Sequence, residues 1–231
     1  MLVLHGFTGN PISMRPLAEA FAAAGFAVEL PRLPGHGTSV DDMIPTRWAD
    51  WLSHAVAAYD ELAGRVESIV VAGLSMGGTL TVSIGLDRPS TAGLVLINAA
   101  VEPMAAEVRD LLRQMGEADE VMPAIGDDIA KPGVTEGSYD ATPIAALLSL
   151  AEAGVVLASR LGELTVPVLL MNSPQDHVVA PTAAEYFVSH VTTAVECVSL
   201  ERSFHVATLD YDAELIETSS VAFAKRVCGL S

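Results

Sequence analysis

Residues 68–78 read SIVVAGLSMGG: an apolar run, a turn with Ser75 at its apex, and the start of a segment suited to a helix. A chain that passes from strand to helix within a few residues strains the backbone at the turn, so residues without Cβ are needed where the two elements approach. Gly73 and Gly77 provide them. Such a nucleophile elbow exposes a serine hydroxyl above the edge of a parallel sheet. A short glycine pattern also arises by chance, so the partners of Ser75 decide the interpretation.

A reactive serine needs a base that takes its proton and an acid that orients the base. Asp176 comes just past the apolar run Val166–Met171, and His205 comes just past the strand-like Val195–Leu200. Because the carboxyl ends of parallel strands meet at one edge of a sheet, we expect both side chains to lie near Ser75. The sequence thus predicts a catalytic triad of serine, aspartate and histidine in that chain order.

Other acids and histidines compete for these roles. Asp210 and Asp212 are alternative acids, but they follow His205 and we expect them in the last connection of the chain. His5 precedes Gly6 at the end of the first apolar run, where a bracing role for the loop is more fitting than proton transfer. The other histidines fit helices or loops better than the position of the base: His36, His54, His177 and His190.

Acyl transfer also needs two N–H groups that stabilise an oxyanion. One comes from the residue after the nucleophile, here Met76, and the other comes from a loop after an early strand. Met1–Leu4 is a short apolar strand, and residues 5–10 form the turn after it. We assign the second N–H to Phe7, whose side chain is also suited to a core position under the loop.

The motifs together resemble the bacterial carboxylesterase and monoacylglycerol lipase group of the α/β-hydrolase superfamily, and their order extends over most of the chain. Two departures stand out: Phe204 replaces the glycine that usually precedes the histidine, and the chain begins almost at the strand before the oxyanion loop. The matching blocks are HGFTGN (residues 5–10), PGHG (34–37), AGLSMGG (72–78), DHVV (176–179) and SFHV (203–206).

The resemblance implies a serine hydrolase that cleaves short- to medium-chain acyl esters or monoacylglycerols through an acyl-enzyme, with Ser75, Asp176 and His205 as the triad. Thioester or carbon–carbon bond hydrolysis on the same triad, and a ligand receptor without catalysis, remain alternatives because function depends on the pocket. The chain lacks His-Glu-x-x-His, a Walker lysine and paired Cys-x-x-Cys motifs, so no cofactor or metal is predicted.

Strand and helix patterns alternate along the chain, as a mostly parallel α/β sheet flanked by helices requires. The predicted strands are Met1–Leu4, Ala27–Leu30, Ser68–Ala72, Gly93–Asn98, Val166–Asn172 and Ala194–Leu200. The predicted helices are Ile12–Ala24, Thr46–Leu62, Met76–Leu86, Thr182–Ser189 and Asp212–Arg226.

One gap breaks this rhythm. More than sixty residues separate Asn98 from Val166, whereas a simple crossover needs about half that length. The predicted division is a hydrolase core of residues 1–100 and 165–231 and a small helical cap of residues 101–164, inserted after the sixth strand of the family fold. Four apolar residues of the cap are candidates for binding an acyl chain: Leu111, Ile144, Leu147 and Leu148.

Composition limits the partners. The chain of 231 residues carries 12 basic and 29 acidic residues, a net charge of −17 that disfavours nucleic acid and anionic membranes. No apolar run reaches membrane-spanning length and no basic-then-apolar leader is visible, so we expect a soluble, cytoplasmic protein acting on a small-molecule ester. Cys197 and Cys228 are expected as buried thiols rather than a disulfide framework. The sequence makes no prediction of oligomeric state.

Overall fold

A computed structural model describes residues 1–230, and its centre is a five-stranded parallel sheet in the order β1-β2-β3-β6-β7. The strands β2 and β3 are buried on both faces, which is why they read as continuous apolar runs. The strands are β1 (Leu2–Leu4), β2 (Val70–Leu74), β3 (Gly93–Ile97), β4 (Val121–Pro123), β5 (Ala141–Pro143), β6 (Val168–Asn172) and β7 (Val195–Ser199).

Helices cover both faces of this sheet. The helices are α1 (Arg15–Ala23), α2 (Val40–Met43), α3 (Trp48–Ala63), α4 (Met76–Asp87), α5 (Ala106–Ala118), α6 (Ile144–Ala158), α7 (Thr182–His190) and α8 (Ala213–Val227). Side chains of α3, α4, α6 and α7 share one core with one face of the sheet, and those of α1 and α8 share a second core with the other face. Successive strand residues alternate between the cores, as Val71 and Ala72 of β2 do.

The predicted elements match the structure within a few residues at their ends, with one exception. The prediction of a strand at Ala27–Leu30 is wrong: only Glu29 pairs, in a single bridge with Leu2. The bridge uses the N–H and the C=O of Glu29. Pro31 follows and has no N–H to extend the ladder, and β1 offers only three residues as a partner.

Between β3 and β6 the chain leaves the sheet and forms α5, β4, β5 and α6. The strands β4 and β5 pair antiparallel and stand apart from the main sheet, with the loop of residues 124–140 between them. The helix α6 packs on α5, α4 and α3. No helix within residues 1–230 has the length and apolar character needed to cross a membrane.

Candidate active site

Ser75 lies at the sharp turn between β2 and α4. Its φ is 56° and its ψ is −118°, a strained conformation for a residue with a side chain. A Cβ on Gly73 would run into the backbone of Gly77, and a Cβ on Gly77 would run into the backbone of Leu4. The Ser75 N–H donates to the Ile97 carbonyl oxygen at 3.0 Å, which fixes the turn to the end of β3. The two glycines therefore allow the close approach that the turn requires.

Asp176 and His205 face each other at the same sheet edge, after β6 and β7. The distance between His205 Nδ1 and Asp176 Oδ2 is 2.7 Å, and the two side chains are 9% and 3% exposed. The other carboxylate oxygen, Oδ1, accepts the N–H groups of Val178 and Val179 at 2.7 and 2.8 Å. Because the Asp176 carboxylate only accepts, the imidazole donates from Nδ1 and leaves Nε2 free to accept a proton.

Asn98 ties the loops that carry these two residues to the end of β3. Its φ is 42°, and its side chain is buried. The amide nitrogen Nδ2 donates to the His205 carbonyl oxygen at 2.8 Å, and Oδ1 accepts the Ser173 N–H at 2.7 Å. Ser173 lies three residues before Asp176, so one asparagine connects both loops.

Met76 and Phe7, the predicted sources of the two oxyanion N–H groups, both lie near Ser75. Met76 is the first residue of α4, and the first N–H groups of a helix have no acceptor within the helix. On the other side, Gly6 lies against Ser75: a Cβ on Gly6 would be 3.3 Å from the Ser75 Cβ. Phe7 follows Gly6 and lines the same cavity as Ser75. Its ring packs edge-on against Trp51, with a centroid distance of 5.6 Å.

Two fully buried histidines support the loop that contains Phe7. His5 Nδ1 donates to the Gly6 carbonyl oxygen at 2.9 Å, and His5 Nε2 accepts the Leu33 N–H at 3.2 Å. His36 packs against His5, with a centroid distance of 5.1 Å. Burial lowers the pKa of His5 to about 3 and that of His36 to about 4. Both rings are therefore neutral at pH 7, and their contacts hold the loop in place.

The two alternative acids, Asp210 and Asp212, accept hydrogen bonds from nearby loop residues and not from the His205 imidazole. Asp210 accepts the N–H groups of Phe204 and Ala130 at 2.9 and 2.6 Å. Asp212 accepts the Arg202 N–H and the Ser203 hydroxyl at 2.8 and 2.9 Å. Neither carboxyl is the partner of the His205 ring, whose Nδ1 pairs with Asp176. These two aspartates shape the loop before His205.

A cavity of about 170 Å³ opens beside Ser75 and His205. Its walls are mostly apolar and come from the core and from the segment between β3 and β6. Such a chamber fits a ligand with a hydrocarbon part whose reacting group reaches the serine. The larger apolar residues that line it are Phe7, Leu74, Met122, Ile125, Leu147, Val178 and Val206.

Of the four residues predicted to bind an acyl chain, the structure brings Leu147 to this cavity. Leu148 is next to it on α6, and a helix turns successive side chains by about 100°, so the two face different directions. Ile144 is buried, and its Cγ2 lies against Gly116 of α5. Leu111 is 54% exposed, because α5 turns the neighbouring Leu112 inward instead.

Glu136 also lines the cavity, and sequence reasoning missed it. The residue is 8% exposed, and burial, followed by the nearby charge of Asp127, raises the pKa of its carboxyl to about 7. His205 and Ser13 oppose this rise. In the sequence Glu136 is one acid in a loop rich in glycine, aspartate and proline, which carries no signal of burial.

Within residues 1–230 no group of three or more potential metal ligands comes together.

Comparison with known proteins shows the family to which the chain belongs. A family model described as the alpha/beta hydrolase family matches residues 1–218. The chain is 43% identical to a thermostable monoacylglycerol lipase of Bacillus sp. (strain H-257), over 99% of this chain and 91% of that protein. A carboxylesterase of Bacillus subtilis (strain 168) is 25% identical, over 98% of this chain and 92% of that protein.

Among solved structures, this chain is similar to a metagenome-derived lipolytic enzyme described in work on LipS and LipT. It superposes with a TM-score of 0.92 at 41% identity, covering 97% of this chain and 92% of that one. The fold and the matched length define an α/β-hydrolase architecture. The chain belongs to the alpha/beta hydrolase family.

Proposed function

We propose that this protein hydrolyses carboxylic esters through an acyl-enzyme, with Ser75 as nucleophile, His205 as base and Asp176 as the acid that orients the base. Ester hydrolysis is the activity that its lipase and esterase relatives support. The observation that carries the assignment of residues is the 2.7 Å pair of His205 and Asp176, together with the cavity that His205 and Ser75 both line.

In this mechanism the Ser75 hydroxyl attacks the ester carbonyl carbon while His205 Nε2 takes its proton. The N–H groups of Phe7 and Met76 stabilise the oxyanion of the tetrahedral intermediate. The imidazolium then protonates the leaving alcohol as the carbon–oxygen bond breaks. Water repeats the sequence on the acyl-enzyme and releases the acid. Asp176 keeps the proton on Nδ1 throughout, so that Nε2 faces the reaction.

We further propose that residues 101–164 act as a cap on a core of residues 1–100 and 165–231. The position of Leu147, Met122 and Ile125 in the wall beside Ser75 supports this division. An acyl chain in this apolar space gains about 0.8 kcal/mol for each methylene group that it buries. The modest volume favours short or medium chains over long ones.

Monoacylglycerols are the substrate class that we favour. Glu136 is a polar residue in an otherwise mostly apolar wall, and it lines the same cavity as Ser75 and His205. With a pKa of about 7 the carboxyl can donate or accept a hydrogen bond near neutral pH. A free hydroxyl of the glycerol leaving group fits this position, whereas a simple alkyl alcohol would leave the carboxyl without a partner.

We propose a cytoplasmic location. Cys197 is exposed and Cys228 is half-buried, so the expectation that both are buried is wrong. The two thiols are free rather than joined in a disulfide, as a reducing compartment favours.

The substrate proposal is tested by comparing a monoacylglycerol with the propyl ester of the same fatty acid. Wild type should prefer the monoacylglycerol by roughly tenfold in kcat/KM, the worth of one hydrogen bond to a buried polar group. Glu136→Ala should remove most of this preference, whereas Glu117→Ala, at an exposed position of α5, should retain it. Equal rates on both esters in wild type would contradict recognition of glycerol, and a faster thioester reaction would reassign the chemistry.

A further inference from the structure

Both backbone polar groups of His205 are bonded to side chains rather than to a strand or helix. Its C=O accepts from Asn98, and its N–H donates to Asp128 Oδ2 at 3.1 Å. Asp128 belongs to the segment between β3 and β6, far from the triad in sequence. The position of the base therefore depends on a residue of the proposed cap.

The same carboxylate also holds the loop that carries Asp176. Asp128 Oδ2 accepts the His177 N–H at 3.1 Å, and Oδ1 pairs with the His177 ring nitrogen Nδ1 at 2.9 Å. The His177 ring packs edge-on against Phe204, the residue before His205, at a centroid distance of 4.6 Å. One side chain, 11% exposed, thus connects the neighbour of the acid with the base itself.

A backbone contact strengthens this connection. The N–H of Val206 donates to the Asp128 carbonyl oxygen at 3.0 Å, so two successive residues of the His205 loop are bonded to Asp128. The adjacent Asp127 has different partners: its carboxylate accepts from Thr135 and Ser138 and from the Glu136 N–H, all within the proposed cap. The two neighbouring aspartates therefore perform separable tasks.

We propose that Asp128 is a positioning residue for the hydrolysis, which clamps the acid-bearing and base-bearing loops and makes the geometry of the triad depend on the cap. The inference rests on the proposed role of His205 as base. Freeing the His205 loop by a fraction of an ångström misaligns Nε2 with the serine proton, and errors of this size cost rate without changing substrate binding.

Variants of Asp128 distinguish the effect of the position of its oxygen atoms from the effect of its negative charge. Asp128→Asn keeps an oxygen where His205 and His177 donate, and its NH₂ group can donate to the exposed His177 ring once that ring holds its proton on Nε2. Asp128→Glu keeps the charge but displaces the oxygens by one methylene group. Asp128→Ala removes the acceptor altogether. A clamp predicts that asparagine preserves the rate and that glutamate and alanine do not.

The experiment measures kcat and KM on p-nitrophenyl acetate and on a medium-chain ester, with thermal unfolding of every variant. Asp128→Ala and Asp128→Glu should lose roughly ten- to hundredfold in kcat on both esters with KM within about threefold, and Asp128→Asn should stay within about threefold of wild type. The control Asp127→Ala should lower the unfolding temperature and leave kcat on the acetate within about threefold.

Opposite results overturn the proposal. An Asp128→Asn variant as slow as Asp128→Ala would show that charge matters rather than reach, and an unimpaired Asp128→Glu would show that the contact has no role in positioning. If Asp128→Ala does not fold, the contrast between asparagine and glutamate still decides. His205→Ala in the same series distinguishes a failure of the proposed function from a failure of the clamp. Substantial activity of His205→Ala would refute the proposed base. An inactive His205→Ala together with an unimpaired Asp128→Glu would refute the clamp alone.

Discussion

Replacing Glu136 by glutamine should stabilise this protein, and the gain should depend on pH. The carboxyl has a pKa of about 7 in the folded protein against an ordinary value of 4.5, because burial and the charge of Asp127 disfavour its ionised form. Between these two pH values the folded chain holds a proton that the unfolded chain has released. Stability attributable to Glu136 is therefore full below pH 4.5 and is lost as the pH rises through 7.

The size of the effect follows from the difference between the two pKa values, which corresponds to about 3 kcal/mol. Glutamine has nearly the same shape and no ionisation. The variant should match wild type near pH 4.5 and exceed it by up to about 3 kcal/mol above pH 8. Because the residue is only 8% exposed, solvent screening removes little of this difference.

Urea unfolding of both proteins at a series of pH values measures this difference directly. Buried His5 and His36 impose their own pH dependence: their lowered pKa values mean that stability is lost as the pH falls below about 6.5. That contribution is common to wild type and variant, so subtraction leaves the term due to Glu136. Glu117→Gln is the matched control, since removal of an exposed carboxyl should change stability by a small amount at every pH.

The reasoning is refuted if the stability difference between Glu136→Gln and wild type stays constant from pH 5 to pH 8. It is equally refuted if wild type becomes the more stable protein as the pH rises, because the carboxylate would then be favoured by its surroundings. A difference that grows with pH and levels off above 7 identifies the titrating group as a buried acid with a raised pKa.

Two further predictions concern catalysis. Ser75→Ala or His205→Ala should lower kcat on p-nitrophenyl esters by roughly four to six powers of ten, and Asp176→Asn by somewhat less, with unfolding temperatures close to wild type. Near wild-type activity in Asp176→Asn would require another acid. Leu147→Asp should depress kcat/KM on a medium-chain ester more than on an acetate ester, whereas Leu148→Asp on the same helix should not change that ratio; equal effects on the ratio would contradict the assignment of the wall.

The sheet and the placement of Ser75, Asp176 and His205 were accessible from the sequence for one physical reason. Buried parallel strands need continuous apolar runs, and a residue just past each run must emerge at the same edge. The chain order of three polar residues thus translates into proximity without knowledge of any long-range contact. The strand predicted at Ala27–Leu30 fails because a ladder depends on its partner's length as well as on its own composition.

The wall of the cavity was much less predictable. Hydrophobic pattern indicated that α6 has apolar residues near its start but not which of them faces Ser75, since that depends on how the whole helix is rotated against α4. Leu147 and Leu148 are equivalent in composition and differ only in direction. Glu136 was invisible for a related reason: its burial comes from the folding of the loop over the sheet edge, and its own neighbours in sequence are polar.

Asp127 and Asp128 show where such reasoning ends. The two residues are chemically identical and adjacent, and the sequence pattern around them indicates a solvated acidic loop for both. In the fold, Asp127 closes the loop on itself through Thr135 and Ser138, whereas Asp128 reaches the backbone of His205. The two carboxylates bind different partners because the backbone directs the two side chains differently. That direction depends on long-range contacts, such as the one between Asp128 and His205, which are more than seventy positions apart in sequence. The proposed cap, bonded in this way to the proposed base, ties the shape of the proposed substrate wall to the alignment of the proposed triad, so substitutions in the loop are expected to alter rate as well as specificity.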